Sequence, residues 1–320
     1  MKKYLLPFAL TLSSLSALAD EPFKIVIFAD SGSTARAQEF ERYLKRDVAP
    51  FNRMRAQDLQ ITVRTLVGEE NKMNCQRDAA INRVMTCDST YLQSQAGNAM
   101  AVAIPSTPFD AAVPMGSGGS VPVGSMNLPL DVMVHEMLHT AGVSDEYPYA
   151  AGEEQTRFCN PPRPSMNFAY FAPTPPYASD ADARGKHGPP TVLWMPRILA
   201  STPVIADLNT LGTNLLGPRA GQQKIGLYRG GSCPPDATGK DSWRPYNDSI
   251  MRRRSMVDPT VYPIYEQAFV DYIQPRLGRP LSLGRRTAAD AARLAALEIE
   301  VNDPDVQILP ESATGTVSEE

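Results

Sequence analysis

Residues 128–141, inside "NLPLDVMVHEMLHTAGVSDEYPY", constrain this chain more than any other segment. Pro129 suits the first turn of a helix, Asn127 can cap it, and Gly142 can end it in the left-handed conformation that a β-carbon disfavours. At the helical angle Leu130, Met133, Val134, Met137, Leu138 and Ala141 share one broad side, while Asp131, His135, Glu136, His139 and Thr140 share the other, with Val132 as the exception. A helix with that apolar side has to be packed into a core. It therefore brings two histidines, stacked one turn apart, to the border of whatever core it joins.

Imidazoles at positions i and i+4 can reach one tetrahedral ion from a single rigid element. Glu136 beside them is placed to take a proton from a water that a zinc ion has acidified, which is the work of a general base in attack on a carbonyl. A catalytic site needs a third protein ligand and one open position. Gly142 lets the chain turn back after His139, and Asp145 is the first metal-competent side chain to arrive, giving His-Glu-x-x-His-x-x-Gly-x-x-Asp. Glu146 follows directly, so a ligand shifted by one residue stays open. The short motif also occurs on helices that bind nothing. The added glycine and acid make it more specific, and two histidines and a glutamate buried without a partner would be costly.

The remainder of the chain bounds where such a site would work. At 320 residues and 42% hydrophobic it can bury a substantial core. A formal net charge of -4 gives no global attraction to nucleic acid, and no internal apolar run is long enough to cross a bilayer, so neither nucleic acid nor membrane is expected as a partner. Lys2 and Lys3 precede an apolar run that closes on Ala17, Leu18 and Ala19, the pattern of a cleaved export signal over residues 1–19. The expected destination is the periplasm or the extracellular space. The few residues between that site and the first strand leave no room for an inhibitory pro-segment. In an oxidising compartment four cysteines point to disulfides, and of the three possible pairings we expect Cys75 with Cys87, worth about 3 kcal/mol by loop closure, and Cys159 with Cys233.

"FKIVIFAD" reads as a buried strand ended by the turn "DSGS", followed by a helix over 34–48 with Pro50 as its stop. "LQITVRTL" alternates as a strand, and the apolar run 99–105 suits the middle of a parallel sheet. This is an α/β (α+β) opening. The glycine-rich stretch 109–126 fits a loop or a short edge strand, since glycine and proline are tolerated at sheet edges. Residues 148–247 are rich in proline and glycine, with sparse regular structure expected, and read as a loop-rich elaboration around a cleft in a domain spanning 20–275. A terminal helix over 286–300 and a polar tail complete the 276–320 region.

The residues "HEMLHTAGVSDEY", "KIVIFADSGST", the "GSGG" before the helix and "NDSIMR" downstream resemble the IgA-peptidase-type family of secreted bacterial zinc metallopeptidases, in the metzincin group, over roughly residues 23–268. The resemblance implies a metzincin-like twisted mixed sheet whose antiparallel edge strand lies alongside an extended protein or peptide substrate. It implies one catalytic Zn2+ held by His135, His139 and Asp145, with Glu136 as the base. It also implies a methionine turn under the metal, for which Met251 is the candidate among 13 methionines, with Met256 close by. The turn after the first strand departs from the family in lacking an aromatic. Tyr147 and Tyr262 are candidate donors to a developing oxyanion, against plain packing roles. The run Arg252, Arg253, Arg254 could read acidic substrate side chains or be solvated charge, and His187 reads as a loop histidine. The expectation is an exported zinc endopeptidase. The alternative is a secreted binding or adhesion protein keeping a structural zinc on the same fold, against which the intact Glu136 speaks.

Overall fold

A computed structural model of the chain describes residues 21–286, other than 82–83, 107–115, 160–164, 174–175, 203, 205–224, 247–248 and 253–261, together with 288 and 292. The expected export signal, most of the 286–300 helix and the polar tail lie outside the described residues, as do Arg253, Arg254 and Met256.

Strand β1 (Phe23–Ala29) is flanked by β2 (Leu59–Thr65) and β5 (Met100–Ile104), both parallel to it, with Ile25 opposite Ile61 on one side and Met100 on the other. β5 is buried at every position, as its unbroken apolar run requires in a sheet covered on both faces, whereas β2 alternates because it is an edge. Helix α1 (Thr34–Asp47) crosses between β1 and β2 and buries Ala37, Phe40 and Leu44. Between β2 and β5 run the short strands β3 (Gln76–Arg77) and β4 (Met85–Thr86), an antiparallel pair, and helix α2 (Ser89–Ala96), started by the Asp88 side chain accepting from Tyr91 N.

Beyond β5 the sheet continues with β7 (Val123–Gly124), parallel to β5, and closes with β6 (Gly116–Ser117), antiparallel to β7, in the order β2-β1-β5-β7-β6. The glycine-rich stretch is thus, in its described part, an edge hairpin, and the mixed sheet with an antiparallel edge strand is present. Its outer rim is partly covered, because Val84 bridges to Gly116 and Ser117 Oγ donates to Met85 O.

Helix α3 (Leu130–Thr140) carries the histidines and packs beneath this hairpin. Its N-cap is Pro129 rather than Asn127, while Gly142 takes φ +86° just past its end, as the sequence required. Glycine is needed in the hairpin because the helix lies so close. A β-carbon at Gly118 would overlap the His139 side chain, and one at Gly116 would stand 2.8 Å from Glu136 Oε1. That contact explains why both sides of α3 are buried from Val132 to Leu138: the core takes one side and the hairpin backbone covers the other.

Among the described residues of 148–247 regular structure is sparse, as expected, and confined to short elements. Helices α4 (Glu153–Phe158) and α5 (Asp180–His187) accompany an antiparallel sheet of β8 (Ala169–Phe171), β9 (Tyr228–Arg229) and β10 (Asp241–Arg244), ordered β8-β10-β9. Trp194 and Trp243 are fully buried there, and each indole N–H has a partner, in Gly226 O at 2.8 Å and Phe171 O at 3.2 Å. His187 is buried at the end of α5, stacked on Phe171 with ring centres 4.3 Å apart and bonded to Tyr177, so it belongs to a packed aromatic group rather than a loop. A last helix, α6 (Pro263–Leu277), returns under the first sheet and packs against α3 and β1.

The disulfides are Cys75–Cys87 and Cys159–Cys233, the pairing expected. They fit a protein of the periplasm or extracellular space. Among the described residues no helix is long and apolar enough to cross a membrane.

Candidate metal centre

Each imidazole on α3 is fixed by a backbone carbonyl. His135 Nδ1 lies 3.0 Å from Ile250 O, and His139 Nδ1 lies 2.9 Å from Val143 O. A carbonyl only accepts, so both Nδ1 atoms carry the proton and both Nε2 atoms present lone pairs. Those two Nε2 atoms are 3.2 Å apart. Asp145 Oδ1 joins them, 3.1 Å from His135 Nε2 and 3.5 Å from His139 Nε2. It is buried, and among the described residues the two imidazoles are the groups it faces.

With both imidazoles neutral, three lone pairs therefore converge on one point. The spacing matches what a metal needs, since bonds of about 2.0–2.1 Å set tetrahedral ligands about 3.3 Å apart. Without a metal, a proton has to relieve the conflict. Burial works to lower His139, but the Asp145 carboxylate outweighs it and carries the imidazole up to about 9. Burial likewise pushes Asp145 up, and the two histidines more than offset this, holding it well below the usual carboxylate range.

Glu136 completes the group. Its carboxylate and the two imidazoles present ligand atoms within 4.8 Å of one another, close enough to bind a metal ion. These residues open onto a cleft of about 320 Å³, walled by Val84 and Thr86, by Gly116, Ser117, Gly118 and Gly119, and by Tyr147, Tyr149, Arg157 and Phe158. Of the three, His139 is nearest solvent, with 19% of its side chain exposed against 1% for His135 and 8% for Asp145.

The adjacent acid has a different fate. Glu146 is fully buried, and its oxygens accept from Asn167 Nδ2 at 2.8 Å, Tyr265 Oη at 2.7 Å and Ser249 Oγ at 2.7 Å. It is committed to that network, so of the two acids only Asp145 faces the imidazoles. The Glu146 amide also donates to Met251 O at 2.8 Å. Together with the Ile250 carbonyl on His135, this seats the 250–251 turn against the histidine helix, with Met251 wholly buried.

The other sequence candidates divide. Tyr147 lines the cleft, with its ring stacked on His135 at 6.3 Å. Tyr262 does not. It sits fully buried at the N-cap of α6, edge-on to Tyr246 at 4.7 Å, so its ring belongs to the core and not to an oxyanion site. Arg252 lines a separate cavity with Ser232 and Asp241. Sequence reasoning missed Tyr149, whose hydroxyl donates to Asp145 Oδ2 at 2.9 Å, and Phe158, a large apolar side chain left 41% exposed at the cleft. The four-residue spacing from Asp145 to Tyr149 was the one available signal, and it lies outside any helix.

A scan against protein-family models and a search of curated proteins each returned no match.

Proposed function

We propose that this chain is an exported zinc-dependent endopeptidase of the IgA-peptidase type, with a metzincin-like arrangement of sheet, helix and methionine turn. The observation that carries the reading is the convergence of His135 Nε2, His139 Nε2 and Asp145 Oδ1 on one point, with a second carboxylate, Glu136, beside them in a cleft. The donor set of two imidazoles and one carboxylate suits zinc and leaves one position for water or substrate. A bound zinc ion supplies Lewis acidity and lowers the pKa of a water to about 7.

The chain's own residues do the rest. His135 and His139 are held in one tautomer and one orientation by Ile250 and Val143, so the ligands are set before the ion arrives. Glu136, next to them and under the backbone of Gly116, is the general base: its carboxylate takes a proton from the attacking water and hands it to the departing amine. Tyr147, at the cleft wall, is the remaining candidate to donate to the developing oxyanion. Met251, buried next to the Ile250 carbonyl that holds His135, is the methionine of the turn. The substrate is a protein or peptide lying between the Gly116–Gly119 rim and the Tyr147, Tyr149 and Phe158 wall.

The test is cleavage of an unfolded protein by the purified chain. Activity is expected to vanish with a zinc chelator and to return on adding zinc. Activity that survives exhaustive chelation contradicts the proposal.

A further inference from the structure

We infer that Tyr149 is a positioning residue that keeps Asp145 a one-oxygen ligand, and that the disulfide-closed segment beyond the motif fixes it in that role. The inference rests on the zinc reading above.

A carboxylate can offer a metal one oxygen or two, and free rotation about its last bond brings the second oxygen within reach. A two-oxygen Asp145 would fill the coordination position that hydrolysis needs open. Here the two oxygens are told apart. Oδ1 faces both imidazoles, while Oδ2 accepts the Tyr149 hydroxyl at 2.9 Å. The hydrogen bond holds the carboxylate plane with one oxygen forward and one back.

Tyr149 is in turn held from four directions. Its amide donates to Ser232 O at 3.0 Å, and its carbonyl accepts from Gln155 Nε2 at 3.2 Å. Its ring lies edge-on to Tyr147 at 5.7 Å and tilted against Phe158 at 5.2 Å. Ser232 precedes Cys233, which is bonded to Cys159, the residue after Phe158. The path from Tyr149 through α4, across the disulfide and back by Ser232 is a closed ring. Residues 148–247 thus reach Asp145 through the Tyr149 hydroxyl, and Asn167 from the same segment holds the neighbouring Ser144 and Glu146.

The experiment compares the full-length wild type with Tyr149→Phe, which removes the hydroxyl and keeps the ring. Zinc affinity is measured by competition with a chromophoric chelator, the ligand field by the visible spectrum of the Co2+ form, and fold by thermal unfolding in chelator. The variant is expected to bind zinc about 10–100-fold more weakly, the usual effect of losing an outer partner of a ligand. Its Co2+ bands should weaken as the carboxylate turns in a second oxygen, and its unfolding midpoint in chelator should stay near that of the wild type. A structural role alone would lower the midpoint and leave the spectrum unchanged. Zinc affinity within about twofold of the wild type, with the same Co2+ spectrum, overturns this inference and leaves the zinc reading standing. A wild type that binds neither ion overturns both.

Discussion

The cleft cluster around Asp145 and the buried network around Glu146 are joined by a single peptide bond, yet they are built on opposite plans. Around Glu146, donors meet acceptors: Asn167, Ser249 and Tyr265 all point hydrogens at one carboxylate. Burial pushes Glu146 up, and these donors, with the positive field of Arg244, work against that rise. Around Asp145, neutral imidazoles would set acceptors against acceptors, because their Nδ1 protons are spent on carbonyls and their Nε2 atoms face Oδ1. The first arrangement is complete as it stands. The second is completed by a shared proton or by a metal ion, so the burial of two neighbouring acids says less about role than the balance of donors and acceptors around each.

Substitutions can break this contrast. The largest effect is expected from Glu136→Gln, which removes the base and keeps the ligands. Turnover should fall about 10²–10⁴-fold with zinc stoichiometry unchanged, read from a steady-state assay beside metal analysis. Normal cleavage by that variant would remove Glu136 from the mechanism. Next, Asp145→Asn should weaken zinc binding by more than about 100-fold, beyond the roughly 10–100-fold of an outer partner, as measured by chelator competition. Glu146→Gln should do the reverse. An amide placed among three donors is expected to cost about 2 kcal/mol of folding stability, seen in denaturant titration, while one zinc per chain is retained. If the two neighbours gave the same pattern, the distinction between them would collapse.

A smaller effect sharpens the comparison with ordinary ion pairing. Asp58, at the start of β2, accepts from Arg55 at 2.8 Å and from Arg279 at 2.6 Å, and the Arg55 bond with the second arginine holds its carboxyl below its usual value. A depressed carboxylate contributes stability that is present above the unfolded value near 3.8 and lost as the pH falls through the folded one. Asp58→Asn should therefore lose stability at neutral pH and flatten the acid limb of a stability profile. No change in zinc affinity is expected.

How much of this was legible in the sequence follows from how local each feature is. The α3 ligands could be read because helical spacing alone sets His135 beside His139, and Gly142 marks the turn to Asp145. β1 and β5 could be read because strands covered on both faces must be continuously apolar. The Glu146 network could not, since Asn167, Ser249 and Tyr265 arrive from three separated segments. Nor could the sheet β8-β10-β9, whose strands are two to four residues long and lie among prolines and glycines. Helix α6 was hidden for another reason: it buries Ile264, Tyr265, Phe269 and Ile273 around much of its circumference and carries Pro275, so its pattern has little helical contrast. Tyr149 left only a four-residue spacing as a signal, because its partnership with Asp145 depends on the fold of the segment after it.

The most direct test of the central claim is X-ray absorption at the zinc edge on the wild-type protein after dialysis against zinc and removal of the excess. One zinc per chain is expected, with nitrogen and oxygen neighbours at about 2.0–2.1 Å, a signature of two imidazoles and no sulfur. A chain that comes through dialysis without zinc, or holds it through sulfur, contradicts the account.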